Sequence, residues 1–133
     1  MSSTLSEEFL SKLVAELDND AVRAIILHGS YVRGDATPPY SDVDLARIVQ
    51  ETPDRTEHKQ YTYRDGYLIS ISTRPLSIYQ ERLTVPEKAV FTVSGIQEAR
   101  ILLDKDGTFS VIQQEARAFR WELLQAAADN YAT

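Results

Sequence analysis

Hydrophobic positions along this chain follow two periods, and where the period switches the chain changes element. In residues 4–18, Leu5, Phe9, Leu10, Leu13, Val14 and Leu17 recur at helical spacing, which predicts an amphipathic helix. Thr4 and Glu7 have the spacing of a capping box at its start, and Asp18-Asn19-Asp20 end it. Residues 22–27 are apolar except for Arg23, the pattern of a strand buried on both faces. After Gly29, residues 30–33 predict a short helix, residues 35–41 with their two prolines a loop, and residues 42–49 a second strand. Beyond a polar loop over 50–58, residues 59–64 and 67–73 flank Asp65-Gly66, a strong hairpin signal. Pro75 marks the start of a helix running to about Leu83; Pro86 starts another, which Gly95 ends or bends. Residues 100–103 predict a last strand and residues 104–107 a turn. A long helix follows over 108–131, with Phe109, Ile112, Ala116, Phe119, Leu123, Ala127 and Tyr131 on one face.

The resulting order, α-β-α-β-β-β-α-α-β-α, predicts an α/β (α+β) architecture in which a small mixed sheet is flanked by helices. No repeat or linker divides the chain, so one domain is expected over residues 1–133. A chain of that size buries roughly two-thirds of its unfolded surface. Hydrophobic residues make up 43%, which excludes a disordered chain, and the longest apolar run is far too short to span a bilayer. Met1-Ser2-Ser3-Thr4 leads directly into polar sequence, so no signal peptide is expected. The absence of cysteine excludes disulfides, thiolate metal sites and cysteine nucleophiles, and fits a cytoplasmic location. With a net charge of −6 and scattered basic residues, bulk binding of nucleic acid is not expected. A small nucleotide carried with a divalent cation remains compatible, because the cation neutralises both parties.

The chemistry concentrates in residues 28–45, HGSYVRGDATPPYSDVDL. Gly29-Ser30 closes the first apolar strand, where glycine allows close backbone approach to a phosphate and the serine hydroxyl and amide can bind its oxygens. Arg33, one turn on, is placed for a charge-assisted contact to a triphosphate. Asp42 and Asp44, two residues apart on a strand, point to one face and make a ligand pair for magnesium, which prefers oxygen donors.

Gly29-Ser30, Arg33-Gly34, Ser41-Asp42 and Asp44 resemble the motif of the polymerase-β-like nucleotidyltransferase superfamily. The likeness is greatest to the minimal nucleotidyltransferase and kanamycin-nucleotidyltransferase-like groups, from which the spacer departs by one residue through Pro38-Pro39. The resemblance implies a nucleotidyltransferase fold and transfer of NMP from a nucleoside triphosphate, with ATP the expected donor, to an acceptor. Asp42 and Asp44 become the catalytic, Mg2+-binding residues, and Gly29, Ser30, Arg33 and Ser41 the nucleotide-binding ones. It also implies possible pairing with a helical HEPN-type protein, as in antitoxins, or with a second copy of the chain. Larger relatives modify aminoglycosides and carry an additional helical domain.

The resemblance implies a third carboxylate on a neighbouring strand, yet residues 67–73 contain no acid; their polar face carries Ser70, Ser72 and, by parity, Arg74. Three readings stay open. One metal suffices at Asp42 and Asp44; another acid, Asp65, Glu57 or Asp104, reaches the site; or the domain binds nucleotide or a partner without turnover. His28 reads as a hydrogen-bonded strand end, with contact to nucleotide or base catalysis as the alternative. Arg47 interrupts the apolar pattern of the second strand, which suggests a strand end, a bulge or an ion pair. Tyr61, Tyr63 and Tyr67 suggest cross-strand aromatic packing on the hairpin, with stacking on a base as the alternative. Phe119, Trp121 and Leu124 widen the apolar face of the last helix enough to suggest an interface.

Overall fold

The computed structural model describes residues 4–38, 40–51, 57–84 and 93–118. Helix α1 (Glu7–Leu17) is capped by Ser6, whose Oγ accepts the Phe9 N–H at 3.1 Å. The N-cap is therefore Ser6 and not the expected Thr4; Glu7 is already helical, and its carboxylate pairs with Arg100 at 2.6 Å. Such a cap contributes about 1 kcal/mol. Phe9, Leu10, Leu13 and Leu17 are buried and lay one face of α1 on the sheet.

Five strands form that sheet: β1 (Val22–His28), β2 (Val43–Val49), β3 (His58–Arg64), β4 (Tyr67–Pro75) and β5 (Arg100–Asp104), in the order β3-β4-β2-β1-β5. Among the described residues, only the β2–β4 pairing is parallel. Side chains alternate across it. Ile25, Leu27, Val43, Leu45, Ile69 and Ile71 join the cluster beneath α1, which also holds Tyr31 of the short helix α2 (Ser30–Arg33). Ala24, Ile26, Ala46 and Ile48 pack on the opposite side, against α3 (Leu76–Thr84), α4 (of which residues 93–98 are described) and α5 (Thr108–Arg117). Both faces of β1 are thus covered, as its continuous apolar run requires.

The hairpin turns on Asp65 (φ 53°) and Gly66 (φ 84°), two left-handed residues that match the twist of the flanking strands. Pro75 ends β4, opposite Val49, instead of opening a helix; α3 starts one residue later. Gly95 lies inside α4 and does not end it, and the expected start at Pro86 falls outside the described residues. The turn after β5 is a 3-10 segment, Lys105–Gly107. Asp104 caps α5 through the Phe109 and Ser110 amides (2.8 and 3.0 Å) and the Ser110 hydroxyl (2.7 Å). The expected continuation to residue 131, with Phe119, Trp121 and Leu124, falls outside the described residues.

Arg47 is not a strand end, and among the described residues it forms no ion pair. It stays in register opposite Ile25, donating from Nε to Thr73 Oγ1 (3.2 Å) and from Nη1 to the Leu17 carbonyl (3.1 Å). It thereby satisfies a carbonyl left open at the end of α1. Among the described residues, no helix is long and apolar enough to cross a membrane.

Candidate functional site

The end of β1 runs directly into the turn of α2. Gly29 sits at φ 80°, ψ −155°, a conformation that favours glycine. Its carbonyl accepts the Val32 and Arg33 amides (3.1 and 3.2 Å), and the Gly34 N–H closes the turn on the Ser30 carbonyl (2.9 Å). The first amides of a helical turn have no acceptor within it, so those of Ser30 and Tyr31 are available to a bound anion. Tyr31 is buried with its ring 6.0 Å from that of Tyr67, which anchors the turn to the core.

Asp44 lies in β2 opposite His28 of β1, and packs against Gly29 so closely that a Cβ there would overlap its Oδ2. Asp42 precedes β2 by one residue. Ser41 Oγ accepts the Thr37 N–H at 2.7 Å, tying the loop just ahead of Asp42. Arg33 is exposed at the mouth, 3.3 Å from Asp35.

Burial raises the Asp44 pKa above 3.8, and the neighbouring negative charge of Asp42 raises it further; Lys59 and Arg33 act in the opposite direction. Burial likewise lowers His28 below 6.5, helped by the positive charges of Arg74, Lys59 and Arg33, so its ring is neutral at pH 7. Among the described residues it has no hydrogen-bond partner, contrary to the strand-end expectation.

Across the sheet, the register aligns His28, Asp44, Ser70 and Tyr61 in one row and Ile26, Ala46, Ser72 and Lys59 in the next. Ser70 therefore stands beside Asp44 on β4, with its side chain buried. The other acids do not substitute for a carboxylate there. Glu57 binds Arg74 and Arg82 (2.8 and 2.9 Å), Asp104 caps α5, and Asp65 forms the hairpin turn. Arg74 of β4 aligns with Ile48 and is engaged by Glu57 and the Tyr79 ring, while its charge reaches His28 in the Asp44 row. Among the described residues, no group of three or more His, Cys, Asp or Glu side chains converges. The half-buried Asp44 beside Asp42 fits one hard divalent cation, which relieves their mutual repulsion; the donors present do not make a three-carboxylate set.

Lys59 and Tyr61 were not singled out as site residues by sequence, yet both lie on this face, with the Lys59 ammonium 5.6 Å from the Tyr61 ring centroid. The signal was present: a two-residue Asp-Gly loop pairs Tyr61 with Ser70 and Lys59 with Ser72 by counting outward. Tyr61 and Tyr63 are exposed, whereas Tyr67 points to the opposite face and packs on Phe9 at 5.0 Å, so the three tyrosines form no common cluster.

The family model described as a nucleotidyltransferase domain matches residues 7–103, which span every strand and the whole Gly-Ser and Asp-x-Asp constellation except the end of β5. Among solved structures, the fold is similar to a nucleotidyltransferase-like protein from Exiguobacterium sibiricum 255-15, with a TM-score of 0.60 at 16% identity over 85% of this chain. The chain spans 37% of the length of that protein. No curated protein matches it significantly. From the extent of the family match and the order of its motif residues, the chain belongs to the nucleotidyltransferase domain family.

Proposed function

We propose that this domain is a metal-dependent nucleotidyltransferase that moves NMP from a nucleoside triphosphate, ATP in the first instance, to an acceptor hydroxyl. The observation that carries the reading is the interlock of Gly29 with Asp44, which sets a phosphate-seating turn directly against the second carboxylate of Asp-x-Asp. Asp42 and Asp44 hold a single Mg2+. A bound cation there supplies charge stabilisation as negative charge builds on the α-phosphate. The amides of the Gly29-Ser30 turn and the Ser30 hydroxyl bind the β- and γ-phosphates, and Arg33 exchanges Asp35 for the triphosphate. Ser41 holds the Asp42 loop in place; Lys59, whose charge is felt at Asp44, adds a second positive group where a further metal would otherwise serve. These groups orient the donor and offset its charge, which is most of what phosphoryl chemistry asks of a protein.

The rival reading is a domain of the same fold that binds nucleotide, a helical HEPN-type partner or a second copy without turnover. Ser70 in place of an acid beside Asp44 favours it. One experiment separates the two. ATP·Mg is titrated into the chain by calorimetry, and transfer from α-labelled ATP is followed with candidate acceptors present. Binding and transfer that both disappear in Asp42→Ala and Asp44→Ala support the enzyme. Binding without transfer to any acceptor supports the rival, and transfer that survives both substitutions sinks the assignment of the site.

A further inference from the structure

On the Asp44 face, between the sheet and helices α3 and α4, lies a cavity of about 250 Å³ whose walls include His28, Ala46, Arg74, Tyr79, Arg82 and Gly95. Its position ties it to the site. His28 is the cross-strand partner of Asp44, and Ala46 is the next β2 residue on the same face, so the cavity begins one side-chain row from the carboxylate. A Cβ built on Gly95 meets nothing within 4 Å, which leaves this wall open.

The cavity is cationic in a chain of net charge −6. Arg74 stacks near the Tyr79 ring, 5.9 Å from guanidinium carbon to centroid, while Arg74 and Arg82 grip opposite oxygens of the Glu57 carboxylate. The two arginines thus already bind one carboxylate, and among the described lining groups they carry one positive charge more than Glu57 neutralises. Glu57 immediately precedes the edge strand β3, and its side chain is 38% exposed, so solvent reaches the carboxylate that an incoming anion would replace. A neutral base or a polycation gains little from such a lining; an oxyanion gains charge-assisted, forked hydrogen bonds.

We propose that this cavity is the acceptor site of the transfer reaction and takes a small hydroxyl-bearing molecule with an oxyanion group, a carboxylate or a phosphate, which Arg74 and Arg82 bind in place of Glu57. The inference rests on the nucleotidyl-transfer reading and names its acceptor class. In the step it serves, the acceptor hydroxyl oxygen forms a bond to the α-phosphorus. The bond from that phosphorus to the bridging oxygen breaks, pyrophosphate leaves with the electron pair, and the hydroxyl proton passes to water.

The test uses the full chain and three probes of one skeleton: glycerol 3-phosphate, glycerate and glycerol. Arginine Nε–H signals of Arg74 and Arg82 are followed by NMR as each is added. Saturable shifts with the phosphate or the carboxylate and none with glycerol are expected, and the stronger of the two names the anionic group. Arg82→Gln should weaken that binding about tenfold or more, whereas Glu57→Gln should tighten it severalfold by removing the internal competitor. The proposal is overturned if glycerol binds equally well, if no probe moves these signals, or if Glu57→Gln weakens binding. ATP·Mg binding is measured separately on the unaltered chain. Its presence with silent arginines overturns the acceptor site alone, and its absence overturns the transfer reading and with it the acceptor role.

Discussion

Gly29 and Asp44 share one volume: a Cβ on the glycine would overlap Asp44 Oδ2 and stand 3.2 Å from Asp44 Cγ. Gly29→Ala is therefore expected to displace the carboxylate as well as strain a backbone at φ 80°. At φ 80° and ψ −155°, a region open essentially to glycine alone, the strain by itself costs about 1–3 kcal/mol. Gly34, in the milder left-handed region at φ 85° and ψ 11° with nothing within 4 Å of a built Cβ, carries backbone strain without any overlap. Calorimetry with ATP·Mg and thermal melts should show both variants destabilised, with nucleotide binding lost only in Gly29→Ala. Equal retention of binding would remove the interlock as the basis of the site.

Asp44 is a half-buried carboxylate held beside another, so the charged form works against the fold in the absence of a cation. Its folded pKa lies above 3.8, so between that value and the raised one the folded chain binds more protons than the unfolded chain. This contribution to stability is present at low pH and is lost as pH rises through the window. Asp44→Asn should raise the melting temperature at pH 7 without metal while abolishing Mg2+ binding. In the unaltered chain, apparent Mg2+ affinity should fall as pH drops through the raised pKa. His28 has the opposite sign: its depressed pKa means stability is lost as pH falls through 6.5.

Ser70 offers a direct test of how many metals the site accommodates. Ser70→Asp places a carboxylate beside Asp44 at a position only 3% exposed. Without metal the variant should lose about 2 kcal/mol or more, because a third unpaired charge is buried. With Mg2+ that loss should be recovered, and calorimetric titration should show tighter uptake than in the unaltered chain. If Mg2+ does not restore the melting temperature, Asp42 and Asp44 do not form a metal site.

Asp104 separates structural from functional acids. It accepts from two amides and one hydroxyl at the start of α5, so Asp104→Ala should destabilise the chain by about 1–2 kcal/mol. Since those bonds lie away from Asp44, ATP·Mg affinity should remain unchanged by calorimetry. A large loss of affinity would bring Asp104 back as the missing ligand.

Much of this fold is legible locally. The period of apolar residues marks α1 and the doubly covered β1, Asp65-Gly66 dictates a two-residue hairpin turn, and Gly29 needs no partner to adopt its backbone geometry. Parity alone puts Asp44, Ser70, Ser72 and Arg74 on polar faces of their strands. Capping is less legible, because Ser6 and Thr4 are both competent by residue type, and the Glu7 carboxylate pairs with Arg100, 93 residues away in sequence. Arg47 looks wrong in an apolar strand until α1 packs above it and offers the Leu17 carbonyl.

What the sequence determined by itself is the constellation: a glycine turn, a serine, two alternating carboxylates, and the strands that carry them. Only the tertiary structure decided what each carboxylate faces. The parallel pairing of β2 with β4 sets Ser70 beside Asp44, and the packing of α3 and α4 on the same face gathers Arg74, Arg82 and Glu57 next to the site. The physical reason is that turn geometry and side-chain alternation depend on neighbouring residues. The pairing of strands 20 or more residues apart depends on burying both faces of the sheet at once.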